Sequence, residues 1–259
     1  MRAQVKTSLR QRVTPPARES RARVSGFTLV EIAVAVFLIT LVLGSILGPL
    51  AAQVEQRQVT ETEKRIEEIK EALIGFAAVN GYLPCPAKSA TDGTEDRTAG
   101  VCTAGKRVGF LPWVTLGVSA IDPWGDLLRY SVVPAFADAT TVFDLTTPRD
   151  IVIVGRQPSP PYAPINLTNA GPDGVPAVVL SHGKNAYGAT GEGGFVRATP
   201  GGAAWVAGVD EFDNANGSVR FMSRVRTTLT GGTGGEFDDI VIWISPNVLF
   251  ARMIAAGRF

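Results

Sequence analysis

Glu31 is the only charged residue between Phe27 and Leu50. A carboxylate inside an apolar run costs on the order of a few kcal/mol unless it is paired, and no Lys or Arg lies within 27–50 to pair it. A backbone cut between Gly26 and Phe27 would create an α-amino group four residues before Glu31. That cation could serve the Glu31 carboxylate of a neighbouring chain. Cys85 and Cys102 enclose a polar stretch holding Asp92, Glu95 and Asp96. In an oxidising compartment they can close a disulfide worth about 3 kcal/mol by loop entropy, and in a reducing one they stay thiols. The single histidine, His182, excludes multi-His metal sites and argues against imidazole catalysis. No Gly-x-Ser-x-Gly elbow, His-Glu-x-x-His pair or phosphate-binding Gly-Lys-Ser/Thr loop is present, so the chain reads as a non-enzyme.

The elements around Glu31 fix its surroundings. Residues 27–50 (FTLVEIAVAVFLITLVLGSILGPL) would span roughly 36 Å as a helix, against a bilayer core of about 30 Å. Residues 1–26 carry seven basic side chains and one acid, a formal +6, with Pro15 and Pro16 opposing a helix. A loose basic segment could be a nucleic-acid arm or the cytoplasmic flank of a membrane helix. The apolar run that follows decides for the flank, with the C-terminal part outside and no nucleic acid as partner. A cleaved secretory signal ending near Leu50-Ala51-Ala52 is the alternative, but such signals have apolar cores of about 7–15 residues.

Beyond Pro49 the pattern becomes that of a soluble helix. Ile66, Ile69, Leu73 and Phe76 recur at helical spacing, Glu61 and Arg65 form an i,i+4 pair, and Asn80-Gly81 supplies a left-handed cap. The stripe covers about three turns, which favours packing on a globular head over a coiled coil. Bends are expected at Gly44, Gly48 and Pro49.

Ser25-Gly26-Phe27-Thr28-Leu29-Val30-Glu31, behind a basic leader and inside an apolar helix, resembles the prepilin processing motif of type IV pilins and type II secretion pseudopilins. The resemblance implies cleavage between Gly26 and Phe27 by prepilin peptidase and N-methylation of Phe27. It also implies assembly with other pilin or pseudopilin subunits through the apolar helix, with Glu31 facing a neighbour's N-terminus. The leader departs from the family in being longer than its common short leaders. The location implied is the bacterial inner membrane, with the N-terminus cytoplasmic and the head periplasmic, and after assembly a periplasmic or extracellular filament. The partners implied are the membrane and the secretion or pilus assembly machinery.

Residues 81–126 read as a loop-rich connection. Asp122-Pro123-Trp124-Gly125-Asp126 is a turn before a strand at 127–133, similar to the start of the pseudopilin sheet. Further strands are expected at 151–154, 177–181, 203–206, 219–225 and 239–244. Ser245-Pro246 should cap a short terminal helix over 246–256 that buries Val248, Leu249, Met253 and Ile254. The fold class expected is α+β: a long N-terminal helix, membrane-spanning in its first half, packed on an antiparallel β-sheet head, pilin-like. Its parts are a leader at 1–26, a membrane or filament-core helix at 27–50, a soluble helix at 51–80 and a head at 81–259.

Ser181-His182-Gly183 and Glu236-Phe237-Asp238-Asp239-Ile240 also look similar to the two ends of the calcium loop of the type II major pseudopilin. Lys184 and Asn185 depart from it, standing where the family often has an acid, and the connection is much longer. The resemblance implies Ca²⁺ held by Asp238 and Asp239, hard oxygen ligands. The plainer reading is that these two aspartates end a Gly-rich loop and start a strand. No other cofactor is indicated. With the leader set aside, the chain's formal +1 becomes about −5 over residues 27–259. The Asp-Pro-Trp-Gly turn and the Asp-Asp-Ile strand favour a pseudopilin, while the large head favours a minor component. A membrane-anchored extracytoplasmic enzyme or binding protein, with no filament role, is the alternative from another class.

Overall fold

The structure, a computed structural model, describes residues 26–258 except 172, 202–204, 207 and 218, and leaves aside the side chains of 46–49. The leader expected at 1–26 therefore lies outside the described residues except for Gly26. The chain divides into two units, residues 1–51 and 52–259.

A single helix, α1 (Leu29–Asn80), contributes to both. Helical structure continues without a break through Gly44, Gly48 and Pro49, as one long helix requires. In the first unit the apolar side chains of α1 lie bare: Leu29 is 85% exposed and Phe37 64%. By length and composition the helix can cross a membrane. The hydroxyls within it are satisfied locally. Thr40 Oγ1 donates to the carbonyls of Val36 and Phe37, and Ser45 Oγ to that of Val42.

In the second unit α1 buries Val59, Thr62, Ile66, Ile69, Leu73 and Ala77, steps of three and four that keep one face on the core. Phe76, expected on that face, is only half-buried and meets Tyr82 edge-on at 5.9 Å, while Ala77 takes the inward position. The Gly81 N–H, at φ +90°, closes the helix on the Ala77 carbonyl.

The head then runs β1 (Arg97–Thr98), β2 (Val101–Cys102), β3 (Val108–Phe110), α2 (Trp113–Leu116), β4 (Arg129–Val132), β5 (Val152–Arg156), β6 (Pro164–Asn166), β7 (Ala177–Ser181), α3 (Asp210–Asn216), β8 (Arg220–Met222), β9 (Ile240–Trp243) and α4 (Pro246–Ala255). Its main sheet is antiparallel, in the order β3-β4-β7-β9. β7 is buried along its whole length, so it reads as a continuous apolar run, without alternation. A second sheet, β6-β5-β8, is mixed: β5 pairs antiparallel with β6 but parallel with β8, which corrects a purely antiparallel head. Ile66, Ile69 and Leu73 join Tyr130, Val178, Leu249 and Phe250 in one core.

The connection at 81–126 is less open than its composition indicates, since it holds β1 to β3 and the Cys85–Cys102 bridge, with sulfurs 2.02 Å apart. β3 precedes the Asp122–Asp126 turn, so the strand after that turn is the second of the sheet. Trp205 and Val206 form no strand, and Ala203 and Ala204 lie outside the described residues. The terminal helix buries Leu249, Phe250 and Met253, leaving Val248 and Ile254 exposed. Phe250 wins the inward position because its ring meets those of Phe136 and Phe143. Ser245 precedes α4, but its hydroxyl makes no capping bond.

Candidate functional site

Two places collect the residues singled out by the sequence. The first is the start of α1. Thr28 N–H and Oγ1 both donate to Glu31 Oε2 at 2.9 Å, and Glu31 N–H donates back to Thr28 Oγ1 at 3.2 Å. This is a capping box, in which a carboxylate three residues into the helix satisfies free N–H groups at its start. Glu31 therefore has a partner inside its own chain, and it is uncharged. Thr28 was the signal, three positions upstream. Gly26 and Phe27 precede the helix, both exposed, Phe27 by 82%.

The second lies in the head, where β7 ends and β9 begins. Asp122 holds its own turn by accepting from the N–H groups of Trp124 and Asp126, both at 3.0 Å. Its other oxygen accepts from Ser181 Oγ at 2.6 Å, and Ser181 Oγ accepts from Gly183 N–H at 3.2 Å. Burial raises the Asp122 pKa above the usual carboxylate range. The Asp-Pro-Trp-Gly turn is thus tied to the end of β7. Gly183 sits at φ +64°, and a Cβ there would meet Asp238 Oδ1 at 2.3 Å, so the 182–185 loop passes directly over Asp238. Asn185 N–H donates to Asp238 Oδ2 at 2.8 Å.

Asp238 and Asp239 are brought together with Glu211 of α3. The three carboxylates each offer an oxygen within 4.8 Å of the others. Glu211 and Asp239 are buried and Asp238 is half-buried. Asn185 Nδ2 donates to both Glu211 oxygens at 2.9 Å, and Asp238 N–H donates to Glu211 Oε1 at 2.7 Å. Asn214 Nδ2 donates to Asp239 Oδ2 at 2.7 Å. Asp238 Oδ1 and Asp239 Oδ1 have no hydrogen-bond partner. Burial, and then the charge of Asp239, push the Glu211 pKa up to about 9. Burial pushes Asp238 up to about 6, against the opposing donor of Asn185. Three carboxylates, two of them with a bare oxygen, are a donor set that fits a hard divalent cation.

Sequence reading found two of these three acids and missed Glu211, which stands 27 residues before Asp238. The acidic run Asp210-Glu211-Phe212-Asp213 was the one local signal. Lys184 and Asn185, marked as departures from the calcium loop, do other work. Lys184 Nζ reaches Glu55 of α1 at 2.6 Å, and Asn185 orients Glu211. His182 is buried with Nδ1 3.5 Å from Asp239 Oδ1, and no serine or cysteine hydrogen-bonds to it among the described residues. Neither a family model, nor a curated protein, nor a solved structure matches this chain.

Proposed function

We propose that the chain is a prepilin-like subunit, cut by prepilin peptidase between Gly26 and Phe27, methylated on Phe27, and assembled into a type II secretion pseudopilus or a type IV pilus. The observation that carries this reading is the combination at the start of α1. A Gly-Phe processing sequence runs into a helix whose described polar side chains over 27–45, namely Thr28, Glu31, Thr40 and Ser45, all bond within that helix. Its apolar surface is bare all round. A helix with no unsatisfied polar groups and no buried face suits lipid first and the apolar core of a filament later. In this reading the leader stays cytoplasmic, the helix is stored in the inner membrane, and the pilin-like head lies outside.

Glu31 has two roles here. In the isolated subunit Thr28 satisfies it. In the filament it turns to the α-amino group of a neighbouring Phe27, which exists only after cleavage. The work of the protein is assembly, and the head displays its loops to other subunits or to secretion substrates.

N-terminal sequencing and mass spectrometry of the mature protein test the reading. Methylated Phe27 at the N-terminus is the expected result. An intact leader, or a cut near Ala52, would overturn it in favour of an anchored extracytoplasmic binding protein or enzyme. Glu31→Ala should leave membrane insertion unchanged and reduce incorporation into filaments at least about tenfold, the effect of about 1.4 kcal/mol or more in subunit association.

A further inference from the structure

Tyr187, Trp205 and Glu236 border one cavity of about 250 Å³ in the head, floored by the glycine-rich turn at 230–235. We propose that this cavity binds an organic cation, the ammonium of a lysine or the guanidinium of an arginine side chain presented by a partner protein. Tyr187 and Trp205 supply the aromatic walls and Glu236 the counter-charge. The cavity lies wholly within the second unit, so the proposal does not depend on filament assembly.

The rings of Tyr187 and Trp205 meet edge to face, with centroids 5.9 Å apart and planes at 71°. Two rings at such an angle form a corner, and an aromatic face attracts a cation through its negative π cloud. Phe212 of α3 braces Trp205 edge to face at 5.4 Å, and the Tyr187 N–H donates to Asn185 Oδ1 at 3.0 Å. The corner is thus held before a ligand arrives. The floor is held too. A Cβ on Gly234 would run into Arg156 Nε, and Arg224 Nη2 donates to the Gly235 carbonyl at 2.7 Å. Both arginines are bound to Asp210, so their charge is met behind the turn.

The Glu236 carboxylate is half-buried and takes part in no hydrogen bond or ion pair among the described residues. A charge drawn partly out of water without a partner costs free energy that an entering cation would offset. Burial, and then the charges of Glu236, Glu211 and Asp238, push the Tyr187 pKa above the usual phenol range, so the negative field reaches the ring. The lining itself selects the ligand class. Its described side chains offer two carboxylates and the hydroxyls of Tyr187 and Thr230, with no Lys, Arg, His, Asn or Gln among them. Such a wall suits a group that only donates, as ammonium and guanidinium do. A sugar or an anion would need fixed donors in return. The volume falls below the roughly 300–1,000 Å³ of sites for drug-sized molecules, which suits the end of one side chain.

The full chain in detergent micelles, with chelator present and labelled with fluorotryptophan, is the material for the test. Fluorine NMR follows the Trp205 signal, assigned by Trp205→Phe. Lysine and arginine blocked at both backbone ends are titrated beside blocked norleucine and citrulline, their uncharged counterparts. The cationic pair should shift the Trp205 signal saturably and bind at least about tenfold more tightly than the neutral pair. Glu236→Gln should weaken that binding at least about tenfold, and Tyr187→Leu about fivefold by removing one aromatic wall. The proposal is overturned if the neutral analogues bind as tightly, if Glu236→Gln binds like the parent, or if no ligand shifts the Trp205 signal. n-Butylamine carries the same ammonium without a peptide backbone. If it binds more than about tenfold tighter than blocked lysine, the site takes a small amine and the assignment to a partner's side chain fails. Should Glu236→Gln not fold, the parent's preference between charged and neutral ligands decides.

Discussion

Replacing Asp210 by alanine should be among the most damaging single changes in the head. Asp210 opens α3 and is wholly buried. Its Oδ1 accepts from Arg156 Nη2 at 2.6 Å, and its Oδ2 accepts from Arg156 Nε at 2.7 Å and also from Arg224 Nε. One carboxylate thus neutralises two guanidiniums whose side chains are 10% and 12% exposed. Removing one partner of a buried charge pair costs about 3–5 kcal/mol, because the other charge is left without compensation. Arg156 and Arg224 keep bonds to the carbonyls of Tyr162 and Gly235, and their slight exposure lets some water reach them. That favours the lower end, about 3 kcal/mol. For a head of this size each kcal/mol moves Tm by about 2–4 °C, so a fall of about 6–12 °C is expected. Thermal unfolding of the detergent-solubilised chain, followed by far-UV circular dichroism, measures it. Arg224→Met leaves the two-point Arg156–Asp210 pair intact and should cost clearly less. A loss below about 1 kcal/mol for Asp210→Ala, or an equal loss for Arg224→Met, would refute the claim that this carboxylate holds α3 in place.

Leu73 is fully buried where α1 meets the main sheet, so Leu73→Ala should lose about 2–5 kcal/mol through the cavity it leaves, read by urea unfolding. Reduction of the Cys85–Cys102 bridge, which closes 17 residues of sequence, should lower stability by about 3 kcal/mol. A Tm unchanged by reductant would show that the bridge does not constrain the unfolded chain.

The parts of the fold legible in the sequence were those whose signal is local. The apolar run and the Ile66-Ile69-Leu73 stripe announced α1, and β-branched runs bounded by turns announced β4, β7 and β9. The strands β1, β2, β3 and β6 have two or three residues each and no pattern of their own, so only their partners define them. The mixed sheet was hidden for a similar reason, since the parallel pairing of β5 with β8 joins residues about seventy positions apart. α3 is the sharpest case. Asp-Glu-Phe-Asp-Asn-Ala-Asn has weak helix propensity and no apolar stripe, and what fixes it is the ionic contact of Asp210 with two distant arginines. Because α3 was not foreseen, neither was Glu211. Asp238 and Asp239 were legible as a pair because adjacent acids at a strand start are visible without a fold, but their third partner is a property of the tertiary structure alone.

The two halves of α1 show how one helix can carry two different requirements. From Val59 to Ala77 apolar residues recur on one face and charges fill the others, because one side meets a core and the rest meets water. From Leu29 to Ser45 there is no such division, and every described polar side chain bonds to its own helix. Such a surface gains nothing from a particular orientation in lipid, and the Thr28–Glu31 cap carries its one charged side chain. Any event that specifies a neighbour for this half of the helix must therefore act at its first turn. That is where cleavage after Gly26 would place a new positive charge, four residues before the one carboxylate in the span.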